Sequence, residues 1–196
     1  MQKVERSVVL VKPDGVQRGL IGEIVGRFEK AGLKVVAMKM VTIGKEFALK
    51  HYGYNDEWFE NVGKKVKEFY QEQGFDAGED FNKLSNMEIG KLVQSWNVNY
   101  LTAGPVVAMI LEAPGVVQIV RKMVGSTYPQ SSQPGTIRGD FSFDSPLLSN
   151  IKRRSVYNLI HSSGTSEEAE LEIQLWFKED EIHSYKRVEE LLMMGE

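Results

Sequence analysis

The chain has 196 residues, of which 42% are hydrophobic and 26% charged, and it carries a formal net charge of −3 and no cysteine. This length and composition fit one globular domain with a sizeable core. The small net charge excludes an overall field that would attract nucleic acid or an anionic membrane, and the lack of cysteine excludes disulfides and thiol chemistry. No long apolar segment lies near the N-terminus, so we predict no signal peptide and no transmembrane helix, and we expect a cytoplasmic location.

The spacing of apolar residues predicts a chain that mixes strands and helices. Runs of β-branched residues that end at turn residues indicate strands, and apolar residues three or four positions apart indicate helices. In chain order these patterns predict a strand over 7–12, a helix over 20–31, a strand over 33–43, a short helix over 45–52, a strand over 106–111, a helix over 115–124, a strand over 156–161 and a helix over 166–177. This order predicts an α/β (α+β) fold of the ferredoxin-like βαββαβ type, in which an antiparallel four-stranded sheet carries helices on one face.

Several segments depart from this order within a predicted single domain over 1–196. An insertion at about 55–99 is polar, aromatic and predicted to be helical. A smaller expansion at about 145–154 precedes the last strand. The segment 125–140 is rich in Gly, Pro, Ser and Thr, and it predicts a long ordered loop of a kind that is often functional.

Cationic side chains are the candidates for binding phosphate. The chain contains neither a Walker A sequence nor a G-x-G-x-x-G motif, so phosphate binding would require dispersed side chains. Lys12 ends the first strand, Arg121 lies in a predicted helix, and Thr127 and Arg138 lie near the two ends of the irregular loop. Arginine offers a planar fork that fits phosphate oxygens, and lysine offers a compact charge. For each cation taken alone, a solvated surface residue is the favoured interpretation.

His161 is the candidate nucleophile, because it follows an apolar strand and precedes small hydroxyl residues. A neutral imidazole, with an ordinary pKa of about 6.5, can accept a group near neutral pH if an acceptor holds its other ring nitrogen. Glu172 in the following helix is a candidate acceptor, and Glu168 and Glu170 are alternatives. A structural histidine is the competing interpretation. A metal site is not predicted, because the other histidines lack ligand spacing and there is no cysteine.

Taken together, these residues form motifs that resemble the nucleoside diphosphate kinase family. The resemblance covers most of the chain outside the insertion. The motifs are Lys12-Pro13-Asp14-Gly15, His51-Tyr52, Gly104-Pro105-Val106-Val107, Gly135-Thr136-Ile137-Arg138-Gly139-Asp140 and Asn158-Leu159-Ile160-His161-Ser162-Ser163, followed by Glu172.

The resemblance implies a ping-pong reaction. ATP or another nucleoside triphosphate gives its γ-phosphate to His161, and a nucleoside diphosphate then takes it, with Mg²⁺ bridging the phosphates. The resemblance also implies a role for each matching residue: Lys12, Arg121, Thr127 and Arg138 hold the β- and γ-phosphates, Asn158 contacts the ribose, Tyr52 lies beside His161, Glu172 orients the imidazole, and Ser163 matches the family's serine. Family members form hexamers or tetramers, so we expect a homo-oligomer and favour a hexamer.

The two additions are where the chain departs from the family pattern. In the family, an aromatic residue in the region of the insertion stacks on the base, near a Pro-Phe-Phe run that this chain lacks. Trp58, Phe59 or Trp96 could replace that aromatic, and Phe59 is our candidate. We hypothesise that the two additions tune base choice or closure, and the competing interpretation is a peripheral decoration or an oligomer contact.

Two other classes of function share the predicted order of elements. A ferredoxin-like RNA-binding module would need an aromatic stacking signature on its strands, which is missing, and the net charge is slightly negative. A regulatory small-molecule-binding domain is compatible with the fold, since fold alone does not decide function. Neither class explains His161 beside Asn158 and Glu172, so we expect no nucleic-acid partner.

Overall fold

A computed structural model of the protein describes residues 4–74 and 76–195. The strands are β1 (Val4–Val11), β2 (Lys34–Val41), β3 (Val106–Pro114) and β4 (Ile160–Ser162). The helices are α1 (Pro13–Gln17), α2 (Ile21–Lys30), α3 (Lys45–His51), α4 (Asp56–Glu72), α5 (Glu79–Asn82), α6 (Asn86–Leu101), α7 (Val116–Val124), α8 (Ile137–Phe141), α9 (Pro146–Ile151), α10 (Ser166–Trp176) and α11 (Val188–Met194). Within the described residues, none of these helices combines the length and apolar character needed to span a membrane.

The chain divides into two compact units. The first, called the sheet unit, comprises Met1–Thr42, Gly104–Ser145 and Tyr157–Glu196, and the second, called the helical unit, comprises Ile43–Ala103 and Pro146–Val156. The two additions predicted at about 55–99 and about 145–154 therefore belong mostly to one unit, although they are far apart in the sequence. The prediction of a single domain stays a prediction.

The sheet unit contains the antiparallel four-stranded sheet that the sequence predicts, with the strand order β2-β3-β1-β4. The central strands β1 and β3 pair along the whole of β1, from Val4 opposite Pro114 to Val11 opposite Val107. β4 pairs with β1 through only three residues, from Val9 opposite Ser162 to Val11 opposite Ile160. The predicted fold class is confirmed.

The main core of the sheet unit lies on one face of the sheet. Val9 and Val11 of β1 contact this core, together with Phe28 of α2 and Val120 of α7. Side chains alternate between the two faces of a strand, so Val8 and Leu10 point to the opposite face. His161 lies opposite Leu10 and therefore on this second face. α10 packs against β1 and carries Glu172, the hydrogen-bond partner of His161. The expectation that all helices lie on one face is therefore wrong for α10.

The predicted strand over 156–161 is much shorter in the structure, because the backbone turns sharply before β4. Leu159 has a φ of 67°, in the left-handed region that apolar side chains rarely adopt. The N–H of Ile160 donates to the carbonyl of Asn158 over 2.7 Å, which closes a tight turn in place of a strand ladder. The predicted loop over 125–140 is also more regular than expected, since it contains a 3-10 turn at Pro129–Ser131 and most of α8.

The helical unit is built around a close contact between α4 and α6. A Cβ atom at Gly63 would lie 1.9 Å from the carbonyl oxygen of Asn86, and one at Gly90 would lie 2.2 Å from that of Phe59. Only glycine permits this approach of the two backbones. The predicted helical character of the insertion is confirmed.

Side-chain hydrogen bonds tie the smaller addition into the helical unit. The Tyr70 hydroxyl donates to the carbonyl of Asn150 over 2.8 Å, and Arg153 Nη2 donates to that of Ala77 over 2.8 Å. The Arg153 guanidinium also lies over the ring of Phe81, 5.7 Å from its centre. The two additions are thus one folded unit rather than two independent decorations.

Candidate active site

His161 is fixed by the pairing of β4 with β1. It lies opposite Leu10 in the register, and the N–H of Ser163 donates to the carbonyl of Val8 over 3.1 Å. The imidazole is largely buried, with 17% of its side-chain surface exposed. A rigid mount of this kind limits the positions that the ring can take.

Glu172 of α10 connects His161 to Ser163. His161 Nε2 lies 2.5 Å from Glu172 Oε1, and the Ser163 hydroxyl donates to Glu172 Oε2 over 2.6 Å. Because a carboxylate only accepts hydrogen bonds, Nε2 carries the proton and the ring lone pair belongs to Nδ1. Ser163 in turn accepts the N–H of Val8 over 3.0 Å. Glu172, rather than Glu168 or Glu170, is thus the acceptor that holds the imidazole.

The electrostatic surroundings keep the His161 imidazole neutral. Burial lowers the pKa of His161 to about 3, the charges of Lys12 and Arg138 also lower this pKa, and Glu168 raises it. A neutral ring retains the lone pair that a nucleophile needs. An unfolded histidine binds a proton below about pH 6.5, so acidification from that pH towards 3 removes stability from the folded state.

Lys12 and Asn158 form a second polar contact of the site. Lys12 Nζ donates to Asn158 Oδ1 over 2.8 Å, and Asn158 Nδ2 donates to the carbonyl of Thr127 over 2.9 Å. Burial lowers the pKa of Lys12 to about 7, and the charge of Arg138 adds to this effect while that of Asp14 opposes it. Lys12 is therefore poised to gain a proton when an anion arrives.

Arg138 joins the irregular loop to the segment that enters β4. Its guanidinium donates to the carbonyls of Asn158 over 3.2 Å and Ile160 over 2.6 Å. It also donates to the carbonyls of Gly125 over 3.3 Å and Ser126 over 2.9 Å. The side chain thus brings a buried positive charge to the site and fixes the loop around it.

Arg121 and Thr127 are the exposed members of the predicted set. Arg121 lies in the last turn of α7, and Thr127 follows that helix in the irregular loop. Among residues 4–74 and 76–195, no hydrogen-bond or ion-pair partner holds the Arg121 guanidinium. A cation in this state can turn towards a ligand without breaking an internal bond.

The turn before β4 depends on Asp14, which is not among the site residues predicted from the sequence. The Asp14 carboxylate accepts the N–H of Leu159 over 3.2 Å, and the N–H of Lys12 donates to the carbonyl of Leu159 over 2.8 Å. These bonds hold the backbone N–H and the backbone carbonyl of Leu159, whose left-handed conformation is strained. Asp14 is recognisable from sequence only as a turn residue, because its partner lies 145 positions away.

The two predicted aromatic site residues, Tyr52 and Phe59, belong to the helical unit. Both are buried there, and the Phe59 ring meets the rings of Tyr54 and Trp58 edge-on. Tyr54 and Trp58 stack on each other with their ring centres 3.5 Å apart. Trp58 and Trp96 are more exposed than Phe59.

Comparison with known proteins finds similarity to one family over most of the chain. A sequence model of the nucleoside diphosphate kinase family matches residues 5–72 and 79–182. A nucleoside diphosphate kinase from Pyrobaculum aerophilum is 46% identical over 179 residues, which cover 91% of this chain and 98% of that protein. The crystal structure of an NDP kinase from the same organism has a TM-score of 0.86 at 45% identity, and the match covers 93% of this chain and 100% of that one.

A second solved structure is a transition state mimic of nucleoside diphosphate kinase from Borrelia burgdorferi with bound vanadate and ADP. It has a TM-score of 0.79 at 37% identity, and the match covers 96% of each chain. The match to the family extends through the insertion except for residues 73–78. The insertion is therefore a feature that this chain shares with relatives rather than one of its own.

Proposed function

Since this chain belongs to the nucleoside diphosphate kinase family, we propose that its phosphotransfer proceeds through His161. The Nδ1 lone pair of His161 attacks the γ-phosphorus of a nucleoside triphosphate, the bond between that phosphorus and the β,γ-bridging oxygen breaks, and a nucleoside diphosphate leaves. A second nucleoside diphosphate attacks the phosphohistidine and reverses these steps. The observation that carries the proposal is the 2.5 Å contact between His161 Nε2 and Glu172 Oε1, which selects the nucleophilic tautomer.

The surrounding residues divide into those that orient His161 and those that hold phosphate. Glu172 keeps the imidazole in place and stabilises the positive charge that develops on the ring, and Ser163 fixes Glu172. Lys12, Arg121, Arg138 and Thr127 bind the phosphate oxygens, and Asn158 contacts the ribose. In phosphoryl transfer, catalysis comes mainly from positioning and from neutralising charge on the phosphate, which matches this set of cations around a neutral nucleophile.

Mg²⁺ enters as part of the nucleotide substrate. The charges that lower the pKa of His161 are those of Lys12 and Arg138, and the Glu172 carboxylate is engaged with His161 and Ser163. These residues fit phosphate oxygens better than a metal ion. The metal would bridge the phosphates and reduce their charge as they approach the cations.

The remaining parts of the proposal rest on the family resemblance. Tyr52 would lie beside His161, and the additions would tune base choice through Phe59, Trp58 or Trp96. Substituting these aromatics in turn (Phe59→Leu, Trp58→Ala, Trp96→Ala) and comparing KM for ATP and CTP would identify the stacking residue, whose loss raises KM without lowering kcat. We also propose a cytoplasmic homo-oligomer, with a hexamer favoured over a tetramer.

The direct test of the proposed function is transfer of label to the protein. Incubation with γ-labelled ATP and Mg²⁺ should give an acid-labile, base-stable label that a nucleoside diphosphate removes. His161→Gln should take no label, whereas His183→Gln, which changes an exposed histidine of the tail, should label normally. Label that persists in His161→Gln, or a wild-type protein that takes none, contradicts the proposal.

A further inference from the structure

The Glu168 carboxylate occupies the space beside Gly164, next to the catalytic histidine strand. Glu168 Oε2 accepts the N–H of Gly164 over 2.7 Å. A Cβ atom at residue 164 would lie 2.5 Å from the same oxygen, closer than non-bonded atoms approach. Glu168 therefore fills the place that a side chain at position 164 would take, two residues after β4 ends.

The same space borders the guanidinium of Arg121. The Cβ position of residue 164 is 3.3 Å from Arg121 Nη1, on α7. In the described part of the chain Arg121 has no hydrogen bond or ion pair, so its geometry is not fixed by any direct contact. Glu168 thus brings a negative charge near this cation, without an ion pair between the two.

Helix capping is the simpler explanation for Glu168, and it accounts for only part of the arrangement. The N–H of Glu168 donates to the hydroxyl of Thr165, the N-cap of α10. In a capping box the glutamate would accept the N–H of the N-cap residue itself. Here it reaches one residue further, to Gly164, on the side where Arg121 lies. A cap needs only an acceptor oxygen, whereas the orientation of a guanidinium needs the charge.

We infer that Glu168 is a positioning residue for Arg121: its carboxylate, without forming an ion pair, attracts the guanidinium towards the space beside Gly164 until the phosphates of the nucleotide attract it more strongly. The inference rests on the proposed roles of His161 and Arg121. A pre-oriented cation loses less conformational entropy when phosphate binds, so Glu168 favours the first half-reaction without touching the nucleotide. Glycine at position 164 is part of this arrangement, because any side chain there would displace the Glu168 carboxylate.

The test is a double-mutant cycle on kcat/KM for ATP, which reports the first half-reaction. Glu168→Gln keeps an acceptor for the Gly164 N–H and removes the charge. We expect about a threefold loss in kcat/KM, since exposed charge pairs contribute little, and an unchanged melting temperature. The loss should be smaller at high salt, which screens exposed charges. In an Arg121→Ala background the same change should cost nothing further.

Relocating the carboxylate provides a second, independent test. The backbone of Gly164 is outside the left-handed region, so an aspartate is tolerated once Glu168 is shortened. Gly164→Asp combined with Glu168→Ala should recover most of the kcat/KM that Glu168→Ala alone loses. The matched pair Gly164→Asn with Glu168→Ala should not, because it supplies the shape without the charge.

The outcomes separate this inference from the function on which it rests. If Arg121→Ala leaves kcat/KM unchanged, the proposed role of Arg121 fails. If Arg121→Ala lowers kcat/KM but Glu168→Gln has no effect, raises it or acts additively, only the positioning role fails. A lower melting temperature in Glu168→Gln with normal kinetics would show that Glu168 is a helix cap alone.

Discussion

In the sheet unit several of the buried polar side chains belong to the site around His161, whereas the helical unit buries mainly aromatic and aliphatic groups. Among the residues described, every buried charged side chain lies in the sheet unit, and most of them, such as Lys12, Arg138 and Glu172, belong to the site. The helical unit instead depends on two glycines that let α4 and α6 touch. Buried charges need hydrogen-bond or ion-pair partners, whereas two helix backbones can touch only where no side chain lies between them. Substitutions in the first unit should therefore affect turnover first, and those in the second should affect folding first.

The largest effect that this comparison predicts is on turnover, for Glu172→Gln. A glutamine amide can donate to His161 Nε2 and so select the tautomer whose Nδ1 carries the proton. We expect a loss in kcat on the order of a hundredfold, as for other residues that orient a catalytic group, with the melting temperature changed little. Steady-state kinetics and thermal unfolding measure the two quantities. Glu170→Gln, on an exposed position of the same helix, is the control, and an equal loss in both variants would refute the assignment.

The next effect is on folding, for Gly63→Ala in the helical unit. The added methyl group would lie 1.9 Å from the carbonyl oxygen of Asn86, so α4 and α6 must separate. Such overpacking costs about 1–3 kcal/mol. Hydrogen exchange should show lost protection in α4 and α6 while β1 and β3 stay protected. Gly22→Ala in α2, where a methyl group meets nothing within 4 Å, should instead be neutral or stabilising. Equal protection of α6 in both variants would contradict the glycine contact.

A smaller effect concerns pH and the buried Lys12. Its pKa of about 7 lies below the usual 10.5, so the unfolded chain binds more protons between these values and stability rises with pH over that range. The negative charge of nucleotide phosphates favours the protonated form of Lys12, so nucleotide binding above pH 7 should be accompanied by proton uptake. The binding affinity should then fall by up to about tenfold per pH unit. Calorimetry in buffers of different ionisation enthalpy measures the uptake. Lys12→Met should abolish the proton uptake and Lys34→Met should not. If the uptake persists in Lys12→Met, another group gains the proton.

The smallest effect is expected within the sheet unit, at Ser7 of β1. Its hydroxyl is fully buried and has no hydrogen-bond partner in the described structure, unlike the polar groups around His161. Ser7→Ala removes an unsatisfied group and should leave stability unchanged or raise it by about 1 kcal/mol or less. Ser163→Ala, by contrast, should lower both stability and turnover, because it removes the partner of Glu172. Chemical denaturation measures the difference, and a destabilised Ser7→Ala would show that the hydroxyl has a partner.

The elements could be predicted because their signals are local. The apolar spacing of Ile21, Ile24, Val25 and Phe28 predicts α2, and Gly32, with a φ of 82°, ends it as expected. The start of β4 could not be predicted, because Val156 and Leu159 look like strand residues. The turn there is held by Lys12 and Asp14. The periodicity of residues 156–161 carries no information about residues so distant in the sequence.

The sequence alone determined the fold class, the family and the set of candidate site residues, since motifs and periodicity are properties of nearby residues. The tertiary structure was needed to show which of Glu168, Glu170 and Glu172 meets His161, because that contact depends on how α10 packs against β1. It also decided that the Arg138 guanidinium is bound to backbone carbonyls. Finally, it joined two distant additions into one helical unit, because Tyr70 and Arg153 find partners across more than 70 positions. Contacts of this kind form only when the chain has folded, so local patterns carry no record of them.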